Sequence, residues 1–153
     1  MSKIYYLAGP MNGYPQFNFP KFHRVAAALR AKGLTIISPA EQDSPAVKAA
    51  ALASKDGKFD ASGKIAGETW GEILSRDVLI IADKIDGIIF MDGWEKSRGA
   101  NLEATTGLLT LEKKPFEFYR WHDDVEDIAP VSRFTILWAV GRAMEERLKA
   151  AHR

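Results

Sequence analysis

The chain has 153 residues and a net charge of +1, and hydrophobic and charged residues make up 46% and 27% of it. These values are typical of one globular domain and leave no charge excess that would favour a polynucleotide or an acidic membrane. Because the chain has no cysteine, disulfides, thiolate nucleophiles and cysteine-bound metals are excluded. No apolar run reaches the roughly 18 residues of a membrane span, and the N-terminus is unlike a signal peptide, so we expect a cytoplasmic protein.

The first part of the chain predicts a strand, a helix and a second strand. Lys3–Leu7 is apolar on both faces, as an inner parallel strand is. Small and turn-forming residues follow, and Phe19–Lys32 then has apolar residues at helical spacing. Leu34–Ser38 is the second predicted strand. This order of elements indicates one right-handed parallel crossover.

The stretch Glu41–Gly67 has a different composition, with few large apolar residues. Within it, only Ala46–Ser54 predicts a turn or two of helix. A loop of this length in a compact domain is usually functional or disordered. We therefore expect a mobile flap over a binding crevice or a contact with a neighbouring subunit. A surface insertion without a specific role is the alternative.

Helices and strands alternate again after this insertion. The predicted elements are a helix over Glu68–Ala82, a strand over Asp86–Met91, a helix over Ala100–Glu112 and a strand over Phe116–Tyr119. The next segment, Trp121–Pro130, is acidic and is predicted to be irregular.

The last predicted helix, about Ser132–Ala151, has its apolar residues on one stripe. The stripe consists of Phe134, Leu137, Val140, Met144 and Leu148. We expect it to pack on the sheet, and a subunit interface is the alternative. Together the elements predict the α/β class: a flavodoxin-like or Rossmann-like three-layer sandwich with a mainly parallel sheet of four to five strands. A single domain would cover residues 1–153 and carry the loop insertion at about 41–67.

The residues after the first strand exclude several familiar doubly wound classes. AGPMNG has neither the three spaced glycines of a dinucleotide fingerprint nor the Gly-Lys-Ser/Thr ending of a Walker loop. The three histidines match no metal-ligand spacing, and the chain has no Gly-x-Ser-x-Gly elbow. What remains is carboxylates, tyrosines and a loop suited to a small anionic or polar ligand.

That loop lies in Ile88–Gly107, which predicts a strand, a small-residue loop and the start of a helix. In open α/β sheets such a loop lines the ligand crevice, and its small residues and helix N-terminal amides favour a negative group. Glu103 follows Gly99 by one turn. The helix dipole should keep it ionised, which suits a nucleophile. The alternative is an ordinary first-turn residue on a solvated face.

Two aspartates also have a functional and a structural interpretation. Asp77 lies near the C-terminal end of its predicted helix, where a carboxylate is unfavourable, and this placement hints at function. A salt bridge to Arg76, Arg98 or another neighbour is the alternative. Asp92 is either an acid/base group or a turn former.

Aromatic residues near these loops are similarly ambiguous. Trp94 could stack on a base or hold the loop against the domain, and both uses suit an amphipathic ring. Tyr5 and Tyr6 point to opposite faces of the first strand, because side chains alternate along a strand. At least one of the two tyrosines is therefore expected in the core.

Two segments resemble the nucleoside 2-deoxyribosyltransferase superfamily. Tyr6–Pro10, YLAGP, is similar to its opening, and DGWEKSRGANLEATTG is similar to its loop of small residues followed by a helical Glu. The form GW-x-x-S-x-GA-x-x-E resembles a small phage-associated branch of that superfamily. Asp77 falls where the superfamily has an aspartate before its third strand. The resemblance covers roughly Ile4–Ser38 and Glu68–Leu111.

The resemblance implies cleavage or transfer of the N-glycosidic bond of a 2-deoxyribonucleoside or its 5′-monophosphate. Glu103 would form a covalent glycosyl ester, and Tyr6 would orient its carboxylate. Asp77, or alternatively Asp92, would protonate the departing base. The remaining substrate contacts would come from Ala8, Gly9, Pro10, Asn12, Trp94, Ser97, Arg98 and Gly99. No metal and no organic cofactor is implied.

Two other functions remain open. A non-catalytic nucleotide-binding or sensing module with the same fold is one, because Asp92 and Glu103 are farther apart than in typical transferases. A structural phage component assembled through the C-terminal helix is the other. The expected partners are a small-molecule nucleoside or nucleotide and further copies of the chain in a homo-oligomer. No polynucleotide and no membrane is expected.

Overall fold

A computed structural model of the chain describes residues 2–153. In chain order its elements are β1 (Ile4–Ala8), α1 (Phe19–Ala31), β2 (Thr35–Ile37), α2 (Pro39–Gln42), α3 (Pro45–Ala53), β3 (Lys64–Ile65), β4 (Glu68–Thr69), α4 (Trp70–Asp83), β5 (Gly87–Phe90), α5 (Arg98–Thr110), β6 (Glu117–His122), β7 (Asp127–Pro130) and α6 (Arg133–Ala151). Short 3₁₀ turns also occur at Pro15–Asn18 and Trp94–Lys96.

The central sheet has five strands in the order β2-β1-β5-β6-β7. The first four strands are parallel, and β7 pairs antiparallel with β6 at the edge. Tyr6 of β1 is in register with Ile37 of β2 and Ile88 of β5, so it lies between two strands. The predicted α/β class with a mainly parallel sheet of four to five strands is confirmed.

Helices cover both faces of this sheet. Tyr5 and Leu7 of β1 point into a core with α1, α2 and α3. Tyr6 and Ala8 of the same strand point into the opposite core, formed with α4, α5 and α6. The sheet is therefore the middle layer of a three-layer sandwich, and the two tyrosines lie on opposite faces, as predicted.

The prediction of an irregular segment at Trp121–Pro130 is wrong. β6 continues to His122, and β7 returns beside it after a turn in which Glu126 has a φ of +47°. The acidic residues of this turn are typical of a loop, and the sequence analysis therefore predicted no strand here. One of them, Asp123, pairs with Lys21 at 2.6 Å and accepts a hydrogen bond from the Trp121 indole at 2.9 Å.

The insertion at about 41–67 packs on the domain, and α3 occupies the part for which a turn or two of helix was predicted. Val47 and Ala51 of α3 are buried against the core. The β3–β4 hairpin follows, so α4 begins at Trp70 and not at Glu68. Thr69 sets that start through a capping box with Glu72.

The apolar stripe of α6 does not pack on the sheet, so this prediction is wrong. The helix contacts the domain through Ile136, with Ala139 and Val140 partly buried beside it. Five large apolar side chains are half or more exposed: Phe134, Leu137, Trp138, Met144 and Leu148. α5 covers the adjoining part of the sheet, so α6 reaches the core with a narrow face only. Within residues 2–153, no helix combines the length and apolarity that crossing a bilayer requires.

Candidate functional site

A pocket lies at the carboxyl ends of β1 and β5. The chain leaves β1 through α1 on one face of the sheet and reaches β5 through α4 on the other face. This is the switch point at which open α/β sheets bind ligands. Gly9 and Asn12, which follow β1, and Ser97 and Gly99, which follow β5, line the pocket.

A tyrosine and a glutamate meet inside the domain, and the glutamate lines this pocket. Tyr6 is fully buried and donates its hydroxyl to Glu103 Oε1 at 2.9 Å. Glu103 itself is 5% exposed. It points inward because Ala100 and Ala104, on the same face of α5, are small enough for close packing on the sheet. Ser97 caps the helix by accepting a hydrogen bond from Ala100 N at 3.2 Å.

The expectation that Glu103 is ionised is wrong for the ligand-free protein. Burial raises the pKa of its carboxyl to about 8, the charge of Asp77 adds to the rise, and the Tyr6 hydrogen bond opposes it. Glu103 is the sixth residue of α5, beyond the first turn over which a helix dipole acts. Its burial equally overturns the alternative of a solvated face.

Asp77 lies in the middle of α4 and not near its end, which corrects the predicted placement. Its Oδ1 accepts hydrogen bonds from Arg76 Nη2 at 3.2 Å and Nε at 3.3 Å, so the salt bridge expected as the structural alternative is present. Asp77 also lines the pocket. Burial raises the pKa of its carboxyl to about 6, and Arg76 opposes this rise.

At neutral pH these two pKa values leave Asp77 mostly ionised and Glu103 mostly protonated, so the two carboxyls together hold about one proton. Between about pH 6 and pH 8 the pair holds a single proton, and in the ligand-free pocket it favours Glu103. Such a pair combines an acid and a base in one apolar enclosure. Among the described residues 2–153, no group of three or more His, Asp or Glu side chains is arranged to hold a metal ion.

The insertion forms much of the pocket wall. It contributes Asp43, Val47, Ala51, Phe59 and Ile65, and further apolar wall comes from Phe17, Phe19, Trp70, Ile73 and Leu74. The cavity volume is about 70 Å³, well below the roughly 300 Å³ of a small ligand site. A drug-sized ligand therefore extends beyond this volume unless the wall moves outward.

Backbone hydrogen bonds fasten the insertion to the loop after β1. Gly13 N donates to Gly57 O at 2.9 Å, and Gln16 N donates to Ser54 O at 2.8 Å. Gln16 and Phe17 have left-handed φ values of +55° and +50°, and these bonds hold them there. Phe17 thereby reaches the pocket wall.

A protein-family model described as a domain of unknown function (DUF4406) matches residues 3–111 of the chain. The chain belongs to this family. The part that matches DUF4406 contains Tyr6, Asp77, Glu103 and the whole insertion, whereas β6, β7 and α6 lie beyond it. No curated protein matches the chain.

In this DUF4406 chain, the eight expected substrate contacts are only partly brought together. Gly9, Asn12, Ser97 and Gly99 line the pocket. Ala8 is buried in the core, and Pro10 packs beside Gly93, so both lie outside the pocket lining. Arg98 lies over the ring of Trp70 at 4.9 Å, outside the side chains that line the pocket.

Asp92 and Trp94 also lie outside the pocket. The Asp92 side chain is 53% exposed and pairs with Arg120 at 2.8 Å. Trp94 is buried against Phe90, with ring centroids 4.3 Å apart. Of the two uses considered for Trp94, the structure has the one that holds the loop to the domain. Asp77 is therefore better placed than Asp92 to act in the pocket.

Sequence reasoning missed Asp43 and the aromatic wall. Asp43 follows the short helix after β2, at the same edge of the sheet as the other pocket residues. Phe59 is the one aromatic residue in the polar stretch 41–67, and this contrast could have indicated a role in the pocket. No sequence pattern indicated that Phe17 and Trp70 line the pocket, because their positions depend on how distant segments pack.

Proposed function

We propose that this protein cleaves or transfers the N-glycosidic bond of a 2-deoxyribonucleoside or its 5′-monophosphate through a glycosyl ester on Glu103. The observation that carries the proposal is the buried Tyr6–Glu103 hydrogen bond of 2.9 Å beside a second carboxyl, Asp77, in an apolar pocket. The resemblance of Tyr6–Pro10 and of the loop before Glu103 to deoxyribosyltransferases supports it.

In this mechanism a Glu103 oxygen attacks the anomeric carbon as the bond from that carbon to the base nitrogen breaks. The electron pair of the broken bond stays on the nitrogen, which takes a proton from Asp77. Water or a second base then loses a proton to the Asp77 carboxylate and attacks the anomeric carbon from the opposite face. The bond to Glu103 breaks with its electron pair on the carboxylate, so the anomeric configuration is retained. The shared proton must sit on Asp77 when Glu103 attacks, and bound substrate would favour that arrangement.

The pocket wall supports a planar, apolar ligand group. Phe17, Phe19, Phe59 and Trp70 provide aromatic surface that suits a nucleobase. The wall formed by the insertion would open to admit the nucleoside and close over it, which excludes water from the reacting atoms. Ser97 and Gly99, at the start of α5, would contact the sugar end of the ligand.

Chromatography of product bases tests this proposal. The protein is incubated with 2-deoxynucleosides and their 5′-monophosphates, with and without a second free base. Free base in water alone indicates a glycosidase, and a new nucleoside that needs the second base indicates a transferase. Glu103→Gln should abolish both products while keeping the fold, and a covalent deoxyribosyl adduct should be absent from its mass spectrum. Base release by Glu103→Gln at the wild-type rate would contradict the proposal.

A non-catalytic nucleotide-binding module is the second candidate. It is favoured by the burial of Glu103, which is 5% exposed, because burial raises the pKa of the carboxyl that must be ionised to attack. A binder would show a ligand-dependent rise in melting temperature without any base release.

We also propose that the chain forms a homodimer through α6. Four of its five exposed large apolar residues are spaced symmetrically about Gly141: Trp138 and Met144 lie three residues on either side, and Phe134 and Leu148 lie seven. An antiparallel copy of α6 related by a two-fold axis would therefore match apolar positions with apolar positions. Gly141, which has open space around it, would allow close approach at the axis.

The extent of this surface suits a second copy of the chain. Five large side chains that are half or more exposed present on the order of 500 Å² of apolar surface. A specific interface buries about 600 Å² or more per partner. A helix face of this size is at the upper end of the apolar patches that monomers expose, so neighbouring residues would have to complete the interface.

A further inference from the structure

We propose that Asp43 is a positioning residue of the candidate site, which competes with Asp77 for the Arg76 guanidinium and so keeps a proton available at the Asp77 carboxyl. The inference rests on the proposed function, because it assumes that Asp77 protonates the departing base. Asp43 belongs to the insertion, so the insertion would set the chemistry of the site as well as enclosing it.

One guanidinium serves both carboxyls. Arg76 Nη2 lies 2.8 Å from Asp43 Oδ1 and 3.2 Å from Asp77 Oδ1. Both aspartate side chains are 4% exposed, so water contributes little to their solvation. Arg76 Nη1 also donates to the Gln42 carbonyl at 3.1 Å, which fixes the guanidinium against the segment that carries Asp43. The single positive charge of Arg76 is therefore divided between the Asp43 and Asp77 carboxylates.

Local structure explains why Asp43 reaches this position. α2 ends at Gln42, and Asp43 has extended backbone with φ −65° and ψ 153°. Ser44 then starts α3 by accepting a hydrogen bond from Val47 N at 3.3 Å. Asp43 is thereby held between two short helices at the edge of the pocket.

Charged and titratable groups on several elements face this network. Asp77 faces Tyr6 of β1, Glu103 of α5 and Arg76 of its own helix, in addition to Asp43. Burial raises the pKa of Asp43 and Arg76 opposes the rise, whereas Glu68 and Lys48 act on it with opposite signs. Among residues 2–153, Arg76 is the cation that forms salt bridges with both Asp43 and Asp77.

Removing the Asp43 charge should change the proton affinity of Asp77 in a defined direction. In Asp43→Asn the ionised Asp77 becomes the only carboxylate on Arg76, and the repulsion from Asp43 disappears. Both changes favour ionised Asp77, so its pKa should fall below about 6. The shared proton would then reside more firmly on Glu103. Arg76→Gln should have the opposite effect, because Asp77 loses its cation.

Carbon-13 NMR of labelled aspartate carboxyls in the ligand-free protein tests this without turnover. The Asp77 signal is assigned by its loss in Asp77→Asn. Asp43→Asn should lower the Asp77 titration midpoint by about one pH unit, and Arg76→Gln should raise it. Glu41→Gln is the matched control, since it removes the same charge two residues earlier in the chain, from a pair with Arg30. An unchanged or raised midpoint in Asp43→Asn would overturn the proposal.

Kinetics on the full chain then separates this inference from the proposed function. Asp43→Asn should lower kcat about tenfold, leave KM nearly unchanged and move the acid limb of the pH profile to lower pH. An NMR shift combined with unchanged kcat would overturn the role of Asp43 in an active enzyme. No base release from wild-type protein would refute the proposed function, and the NMR titration would still decide whether Asp43 and Asp77 share Arg76.

Discussion

Glu103 combines properties that rarely occur together in a residue with a purely structural role. It is 5% exposed, it accepts a hydrogen bond from a fully buried tyrosine, and it shares a pocket with Asp77. Burying a carboxyl in apolar surroundings costs free energy, because its charged form loses hydration. Buried carboxyls with a raised pKa occur most often at functional sites. Removing the Glu103 carboxyl should therefore change the free energy of unfolding by a measurable amount.

Glu103→Gln should change how stability depends on pH. The pKa of Glu103 is about 8 in the folded protein, against an ordinary value of 4.5. Its contribution to stability is therefore fully present below pH 4.5 and is lost as the pH rises through 8. Between pH 6 and 9 the wild-type free energy of unfolding should fall by about 3 kcal/mol more than that of the variant. Urea unfolding at several pH values measures this difference.

The exposed Glu112→Gln, just beyond α5, serves as the control and should follow the wild-type curve. Parallel curves for the wild type and Glu103→Gln would show that Glu103 titrates near its ordinary pKa. They would contradict the shared-proton description of the site.

Tyr6→Phe should shift the basic limb of the pH-activity profile. The Tyr6 hydroxyl lowers the pKa of Glu103, so its removal should raise that pKa further above 8 and move the basic limb to higher pH. The rate should fall about tenfold or more, because the attacking carboxylate loses its orienting hydrogen bond. Tyr5→Phe, on the opposite face of β1, is the matched control. An unmoved limb in Tyr6→Phe would exclude a role for this bond in catalysis.

At the scale of elements, the insertion and the loop after β1 act as one unit. The backbone bonds from Gly13 to Gly57 and from Gln16 to Ser54 join them, and Phe17 and Phe59 contact each other at the pocket with ring centroids 5.8 Å apart. Any movement that opens the pocket must therefore shift both segments together or break these bonds.

Gly57→Ala should loosen that unit and weaken ligand binding. Gly57 has a φ of +63°, and an added Cβ would lie 2.1 Å from the Tyr14 carbonyl oxygen, so the two segments must separate. Gly63→Ala is the control, because it has a similar φ of +75° but open space around it. Backbone strain should cost both variants about 1 kcal/mol of stability. Gly57→Ala should lose more than Gly63→Ala, because its two segments must also separate. Only Gly57→Ala should weaken binding of 2′-deoxyadenosine, by about tenfold in calorimetric titration, and equal affinities would contradict the joined-segment interpretation.

At the scale of the whole molecule, the sheet and its cores leave α6 incompletely covered. α6 packs through Ile136 and its neighbours, and Arg147 donates to the Lys96 carbonyl at 3.0 Å. The remaining apolar side chains of α6 face away from the domain. The proposed homodimer would cover these side chains with a second copy of α6.

Trp138→Glu should convert the proposed dimer to a monomer. Light scattering after size-exclusion chromatography should give twice 17.0 kDa for the wild type and 17.0 kDa for the variant. A buried charge at the centre of an apolar interface has no partner, so association should weaken by at least tenfold. Leu79→Glu, at an equally exposed leucine on α4, should remain dimeric. A monomeric wild type at high protein concentration would refute the dimer.

The sequence by itself determined the α/β class, the four parallel strands of the central sheet and the loops that follow β1 and β5, but not the β3–β4 hairpin or β7. It also singled out Tyr6, Asp77 and Glu103, because short apolar runs, small-residue loops and resemblance are local signals. Only the tertiary structure decided which carboxyls share a proton, that Asp92 pairs with Arg120 outside the pocket, and that Asp43 shares Arg76 with Asp77. It also decided which face of α6 stays exposed. These outcomes depend on burial and on charged residues from segments that are distant in the chain. A local pattern of residues predicts neither the burial nor the distant charges.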